Sequence, residues 1–228
     1  MFTGGLVVFE GAEGVGKSTQ VDFLLRRLKD AGIAAVSFRE PGGTTVGDQI
    51  REILLRPGNV IAPVAEALLF MASRAELCER EIAPAIAEGK VVVLDRFFLS
   101  TYAYQIAGRG LEEADVRSAN RLATRGLVPD LTLLLDYPVK SGLERAGGRG
   151  SRDRMEQLDG EFHERIGQAF ATFASDEWTA RHPECGRIVS VDARGSAEEV
   201  AARVADVLAD NLPDKFWMLR QSEHSGLS

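Results

Sequence analysis

The feature that most constrains this chain is the run Gly11-Ala12-Glu13-Gly14-Val15-Gly16-Lys17-Ser18, followed by Thr19. It fits G-x-x-x-x-G-K-[ST] without a mismatch. Its flanks matter as much as its letters. Leu6-Val-Val-Phe9 is a short apolar run that reads as a strand buried on both faces, and an amphipathic helix is predicted from about 18 to 30. Glycines between a strand and a helix let backbone N–H groups turn inward around a polyphosphate, and the helix N-terminus adds partial positive charge. In this pattern Lys17 reaches the outer phosphates and the Ser18 hydroxyl ligates Mg²⁺.

Further elements alternate regularly. Apolar strands are predicted at 34–38, 90–95, 131–136 and 187–191. Between them lie helical patterns at 63–89, 98–107, 112–124, 139–146, 155–175 and 197–209. Pro84 is expected to bend or break the first of these. Arg39-Glu-Pro-Gly-Gly-Thr-Thr45 reads as a turn-rich loop, and the peptide bond before Pro41 is open to either isomer. Strands alternating with helices imply an α/β three-layer fold: a five-stranded parallel sheet with helices on both sides. Asp95 ends the third strand, which brings its carboxylate to the C-terminal edge of the sheet beside the glycine loop, where it can hold the magnesium shell.

Composition narrows the chemistry. A formal net charge of −7 gains little from counterion release, so bulk nucleic acid is not an expected partner. No apolar stretch approaches the roughly 20 residues that cross a bilayer, and no signal peptide is read at the start, so a cytoplasmic enzyme with no membrane partner is expected. The two cysteines, Cys78 and Cys185, have no metal-like spacing, and Cys78 reads as a buried thiol. A GTPase would carry Asn-Lys-x-Asp, which is missing. Asp192-Ala-Arg-Gly195 matches D-x-x-G only after the fifth strand, out of place for a switch loop. Small-molecule kinases are then the main class left, with a regulatory ATPase as the rival from another class.

Five blocks in order carry a resemblance: the glycine loop with Glu13, Arg39-Glu-Pro-Gly-Gly-Thr44, Leu69-Phe70-x-x-x-Arg74, Asp95-Arg96, and Ser100-Thr101-x-Ala-Tyr104-Gln105. Over about residues 5–210 this set resembles the thymidylate kinase family. The resemblance implies an enzyme that transfers the γ-phosphoryl group of ATP to dTMP, giving dTDP and ADP, as a homodimer with Mg²⁺. It also implies roles. Glu13 matches the acid that contacts the sugar 3′-hydroxyl. Phe70 and Arg74, one helical turn apart, match the pair that stacks on thymine and donates to its O4. Thr101 and Gln105 resemble contacts to the pyrimidine edge, and Tyr104 the ring that crowds the 2′ position. Ser100 contacts the base or caps its helix. Arg39 and Arg96 match the arginines that bind the acceptor phosphate.

Between the fourth strand and the helix at 155–175, the stretch 144–154 holds four arginines and three glycines in eleven residues and reads as a mobile basic segment. The family has a lid here. Because Ala12, Glu13, Gly14 and Val15 include no arginine or lysine, the branch whose lid supplies the catalytic cation is the better match. Arg149 aligns with that cation, and Arg145 resembles the residue flanking adenine; Arg152 and Arg154 are left without a firm assignment. The expected layout is one kinase domain over 1–212, with the lid at about 144–154, and a tail over 213–228. Phe216 and its neighbours in that tail are available for packing.

Overall fold

The computed structural model describes residues 4–147, 153–212 and 216. In chain order the elements are β1 (Gly5–Glu10), α1 (Lys17–Asp30), β2 (Ala35–Arg39), α2 (Thr45–Leu55), α3 (Pro63–Leu77), α4 (Ala83–Ala87), β3 (Val91–Asp95) and α5 (Phe98–Thr101). There follow α6 (Glu113–Thr124), β4 (Leu131–Asp136), α7 (Val139–Gly147), α8 (Gly160–Thr172), α9 (Asp176–Arg181), β5 (Ile188–Asp192) and α10 (Ala197–Asn211). All strand pairings are parallel, in the order β2-β3-β1-β4-β5. Every residue of β1 and β3 is buried, as strands covered on both faces require. The edge strands β2 and β5 are partly exposed.

That strand order decides where chemistry can occur. β1 lies between β3 and β4, with Phe9 opposite Asp95. The loop leaving β1 and the carboxylate ending β3 therefore emerge side by side at the C-terminal edge. Asp130 ties the far end of the sheet, accepting from the Leu6 N–H at 2.8 Å. Phe216 is buried in the hydrophobic core, its N–H donating to Leu212 O at 2.9 Å. Cys78 and Cys185 are buried free thiols, and burial pushes the Cys78 thiol up to about 12.

Four local readings change. At Pro84 the expected stretch divides into two α-helices, α3 and α4, but the chain stays helical between them: Cys78–Ile82 widens into a π-helical turn, with the Ala83 N–H donating to Cys78 O five residues back. A widened turn accommodates the proline ring and its missing donor while the chain stays helical. The helix at 98–107 is likewise α-helical only to Thr101 and π-helical over Tyr102–Gly108. The expected helix at 155–175 is shorter and later. Asp159 caps α8 by accepting from the Phe162 N–H, and Ser175 caps α9 by accepting from the Trp178 N–H. Finally, α2 follows directly on the Arg39–Thr45 loop. The Thr44 side chain accepts from the Gly47 N–H at 2.9 Å and starts the helix.

Candidate active site

The glycine loop folds as its residues demand. Gly14 and Gly16 have φ of 71° and 99°, in the left-handed region that side chains disfavour. No side chain caps α1, so its first N–H groups remain available to an anion. The backbone of α7 closes against the loop: a Cβ on Gly14 would lie 1.8 Å from Gly142 O. Lys17 is buried, and its Nζ donates to the carbonyls of Gly11 at 2.8 Å and Ala12 at 2.7 Å. Burial, then the nearby Arg96, lowers its pKa to about 8, although Asp95 and Glu13 act in the opposite direction. The Ser18 hydroxyl donates to Asp95 Oδ2 at 2.8 Å, and Asp95 Oδ1 is buried with no hydrogen-bond partner. A hydroxyl and a half-vacant carboxylate are hard oxygen donors, the set Mg²⁺ takes when phosphates and water complete its shell.

Directly after Asp95 the chain turns sharply. Arg96 has φ 74°, rare for a side-chain-bearing residue, and it is held there from below. Its N–H donates to Phe9 O at 3.0 Å, while the buried Glu10 carboxylate accepts from the N–H groups of Phe97 (2.7 Å) and Ser100 (3.0 Å) and from the Ser100 hydroxyl (2.7 Å). Ser100 is thus bound to Glu10 and does not cap its helix. The strained turn aims Arg96 into the cleft. There its guanidinium donates to Ser100 Oγ at 3.0 Å and lies over the Tyr104 ring. It also comes within 3.9 Å of Glu13. The Tyr104 hydroxyl donates to Glu13 Oε1. Burial raises the Glu13 pKa, but Arg96, Tyr104 and Lys17 outweigh it and hold the carboxyl below its usual range.

These groups line one cleft of about 270 Å³. Glu13, Gly14, Gly16, Lys17, Ser18 and Thr19 form its phosphate-cradle side. Arg39, Phe70, Arg74 and Asp95–Arg96 line it too, as do Ser100, Thr101, Tyr104 and Gln105. Gly11, Ala12 and Val15 do not line it; they are buried supports of the loop. Arg145 is exposed on α7 outside the cleft, its guanidinium 4.2 Å from the Tyr137 ring centre. Arg149 and Arg152 lie outside the described residues.

Arg74 is more deeply committed than its spacing suggested. Its five N–H donors are all taken. Glu40 receives Nε and one NH2 hydrogen at 2.5–3.0 Å, and Phe97 O receives the other NH2 hydrogen at 2.8 Å. Thr101 Oγ1 and Asn120 Oδ1 accept from NH1. A ligand carbonyl reached by this side chain therefore shares a donor with Thr101 or Asn120. Gln105 donates to Glu66 at 3.4 Å, a long bond.

Several cleft residues escaped the sequence reading. Arg51 and Leu55 come from α2, which was not read as a helix. Its Thr44 cap and the apolar Ile50 and Leu54 one turn apart were the available signal. Asp153, Met155 and Glu156 line the cleft from the turn that precedes α8. Arg154 points away from it and is buried. Its Nε donates to Leu54 O at 2.5 Å, and NH2 donates to Glu66 at 2.6 Å. Glu10 and Glu40 could have been noticed as acids in or beside apolar strands.

Comparison with known proteins agrees with the resemblance of the five blocks. The family model described as thymidylate kinase matches residues 9–204. A thymidylate kinase of Synechococcus sp. (strain JA-2-3B'a(2-13)) is 49% identical over 207 residues, covering 91% of this chain and 95% of that protein. The thymidylate kinase of Carboxydothermus hydrogenoformans is 42% identical over 197 residues, covering 86% and 93%. That of Deinococcus radiodurans is 42% identical over 204 residues, covering 90% and 96%.

Proposed function

The chain belongs to the thymidylate kinase family, and from that premise we propose how this cleft brings ATP and dTMP together. The enzyme transfers the γ-phosphoryl group of ATP to dTMP, giving dTDP and ADP. One observation carries the assignment of roles: the phosphate cradle of Lys17 and the Phe70–Arg74 face open into the same cavity, with Arg39 and Arg96 also lining it. Two anionic substrates meeting there oppose their charges, so the site must supply cations and exclude water. Lys17 and the loop N–H groups hold the donor, while Arg39, Arg51 and Arg96 hold the acceptor phosphate. Phe70 stacks on the base and Tyr104 crowds the sugar. Glu13 receives the 3′-hydroxyl. Positioning and charge neutralisation then carry an in-line transfer with no covalent enzyme intermediate.

Ser18 and Asp95 are the residues that would hold Mg²⁺, which supplies further neutralisation of the phosphate oxygens. Arg149 is assigned the stabilisation of charge on the transferred group, within a lid at about 144–154 of a single 1–212 kinase domain. The enzyme works in the cytoplasm; among the described residues, no helix is long and apolar enough to cross a membrane. A homodimer would use the face where α2, α3 and α6 expose Ile53, Val64, Leu68 and Leu122.

ADP release measured with dTMP, dUMP, dCMP, AMP and deoxythymidine tests the acceptor. Turnover with dTMP far above that with AMP or the nucleoside is expected; comparable turnover with either, and none with dTMP, overturns the reading. Arg149→Ala should lower kcat far more than it raises the KM for dTMP. An unchanged kcat would assign that duty to another arginine. Phe70→Ala removes the stacking surface, so it should chiefly raise the KM for dTMP, by roughly tenfold for the loss of one aromatic contact. A kcat defect without a KM change would remove Phe70 from acceptor binding.

A further inference from the structure

Besides Asp95 Oδ1, three neighbouring buried polar atoms lack any hydrogen-bond partner: Glu13 Oε2 in the cleft and both ring nitrogens of His163 behind it. Glu13 is 7% exposed and His163 5%. Their orphaned atoms face each other, with His163 Nδ1 4.0 Å from Oε2. An unmade buried hydrogen bond costs about 1–3 kcal/mol, and native structures leave few of them. The two side chains, 4.0 Å apart at their orphaned atoms, stop just short of the hydrogen bond that would satisfy both.

Glu13 Oε1 is pinned by the Tyr104 hydroxyl, with Arg96 3.9 Å away. Nothing pins Oε2, although Lys17 attracts the same carboxylate. His163 sits in the first turn of α8, which is held firmly. Asp159 caps the helix, and the Phe162 ring packs edge-on against Tyr104 at 6.3 Å and beneath Arg109 at 4.9 Å. A shift of roughly 1 Å brings Nδ1 within hydrogen-bonding distance of Oε2.

We propose that His163 is a positioning residue for the acceptor: it donates Nδ1–H to Glu13 Oε2 when acceptor binds. The carboxylate is then held at both oxygens, by Tyr104 and His163, and offers its remaining lone pairs to the sugar hydroxyl. No proton changes owner, and the neutral imidazole suffices. This inference rests on the assignment of Glu13 to the 3′-hydroxyl under Proposed function.

The two conservative amides separate the nitrogens. His163→Asn keeps a donor near the place of Nδ1, and His163→Gln keeps one near Nε2. Each variant is assayed with dTMP and with 3′-deoxy-dTMP, which lacks the hydroxyl. His163→Gln should lose about tenfold or more in kcat/KM for dTMP, the worth of one hydrogen bond to a charged group, and stay within about twofold on the 3′-deoxy acceptor. His163→Asn should keep most of the preference for dTMP. Parallel losses on both acceptors mark a packing role and overturn the inference, as do equal behaviour of the two amides or no loss in either. A wild-type enzyme inactive on dTMP instead overturns the functional reading, and this inference with it.

Discussion

Lys17→Met should lower kcat on the order of 10³-fold while leaving the fold intact, because one preorganised cation aimed at developing charge is worth that much in a water-excluded site. The side chain is anchored on the Gly11 and Ala12 carbonyls of its own loop. Its removal takes away electrostatic stabilisation together with these two hydrogen bonds, while the glycine-shaped loop backbone stays. Stability should fall by no more than about 1–3 kcal/mol: two loop carbonyls lose a donor, but the methionine stem fills the same buried space and no ammonium has to be desolvated. ADP release at saturating ATP and dTMP, together with a thermal melt, checks both halves. A variant within tenfold of wild type would remove Lys17 from the transfer step.

The lowered pKa of Lys17 adds a second readout. With its pKa lowered to about 8 by burial and Arg96, the ammonium is half neutral near that pH. Bound phosphates favour the charged form and raise that value. ATP binding near pH 9 should then take up protons through Lys17, seen as a calorimetric heat that depends on the buffer's ionisation enthalpy. That contribution should vanish near pH 7, where the lysine is already protonated, and in Lys17→Met at either pH. Equal uptake at pH 9 in wild type and variant would assign the proton elsewhere.

Glu66→Ala should destabilise the fold by about 3–5 kcal/mol, the range for removing one partner from a buried ion pair. Glu66 is fully buried in the first turn of α3. It accepts from Arg109 Nε (3.0 Å) and NH2 (2.9 Å) and from Arg154 NH2 (2.6 Å). Without it, two guanidinium groups lose their counter-charge in a poorly solvated place. For a chain of this length the melting temperature should fall by roughly 6–20 °C. Burial raises the Glu66 pKa, but the bonds from Arg109 and Arg154 outweigh it and hold it below 4.5. This stabilisation is therefore present above pH 4.5 and lost as pH falls through the lower folded value, so wild type and variant should converge in acid. Because the cost comes from stranded charge, further replacing Arg109 and Arg154 by Met should recover part of it. Urea titrations showing less than about 1 kcal/mol loss for Glu66→Ala would sink this account.

Much of the fold was legible because its signals are local. Short apolar runs bounded by turn residues or charges mark the parallel strands, and all five strands lie within a residue of where the pattern put them. Helix ends were less legible. Asp159 and Ser175 each look like ordinary polar residues until the N–H they satisfy is known. The passage through Pro84 depended on a π turn, which leaves no trace in periodicity.

The site divides along the same line. By itself the sequence determined the phosphate cradle, Asp95 and the Phe70–Arg74 spacing, because a backbone conformation or a single helical turn dictates each of them. Only the tertiary structure decided what surrounds them. It showed Arg74 saturated by Glu40, Thr101, Asn120 and Phe97, and Glu10 holding the strained turn at Arg96. It also joined Glu66 to Arg154 across 88 positions and set His163 opposite Glu13. Such contacts are chosen by how strands and helices stack, and no interaction short enough to be read along the chain encodes them.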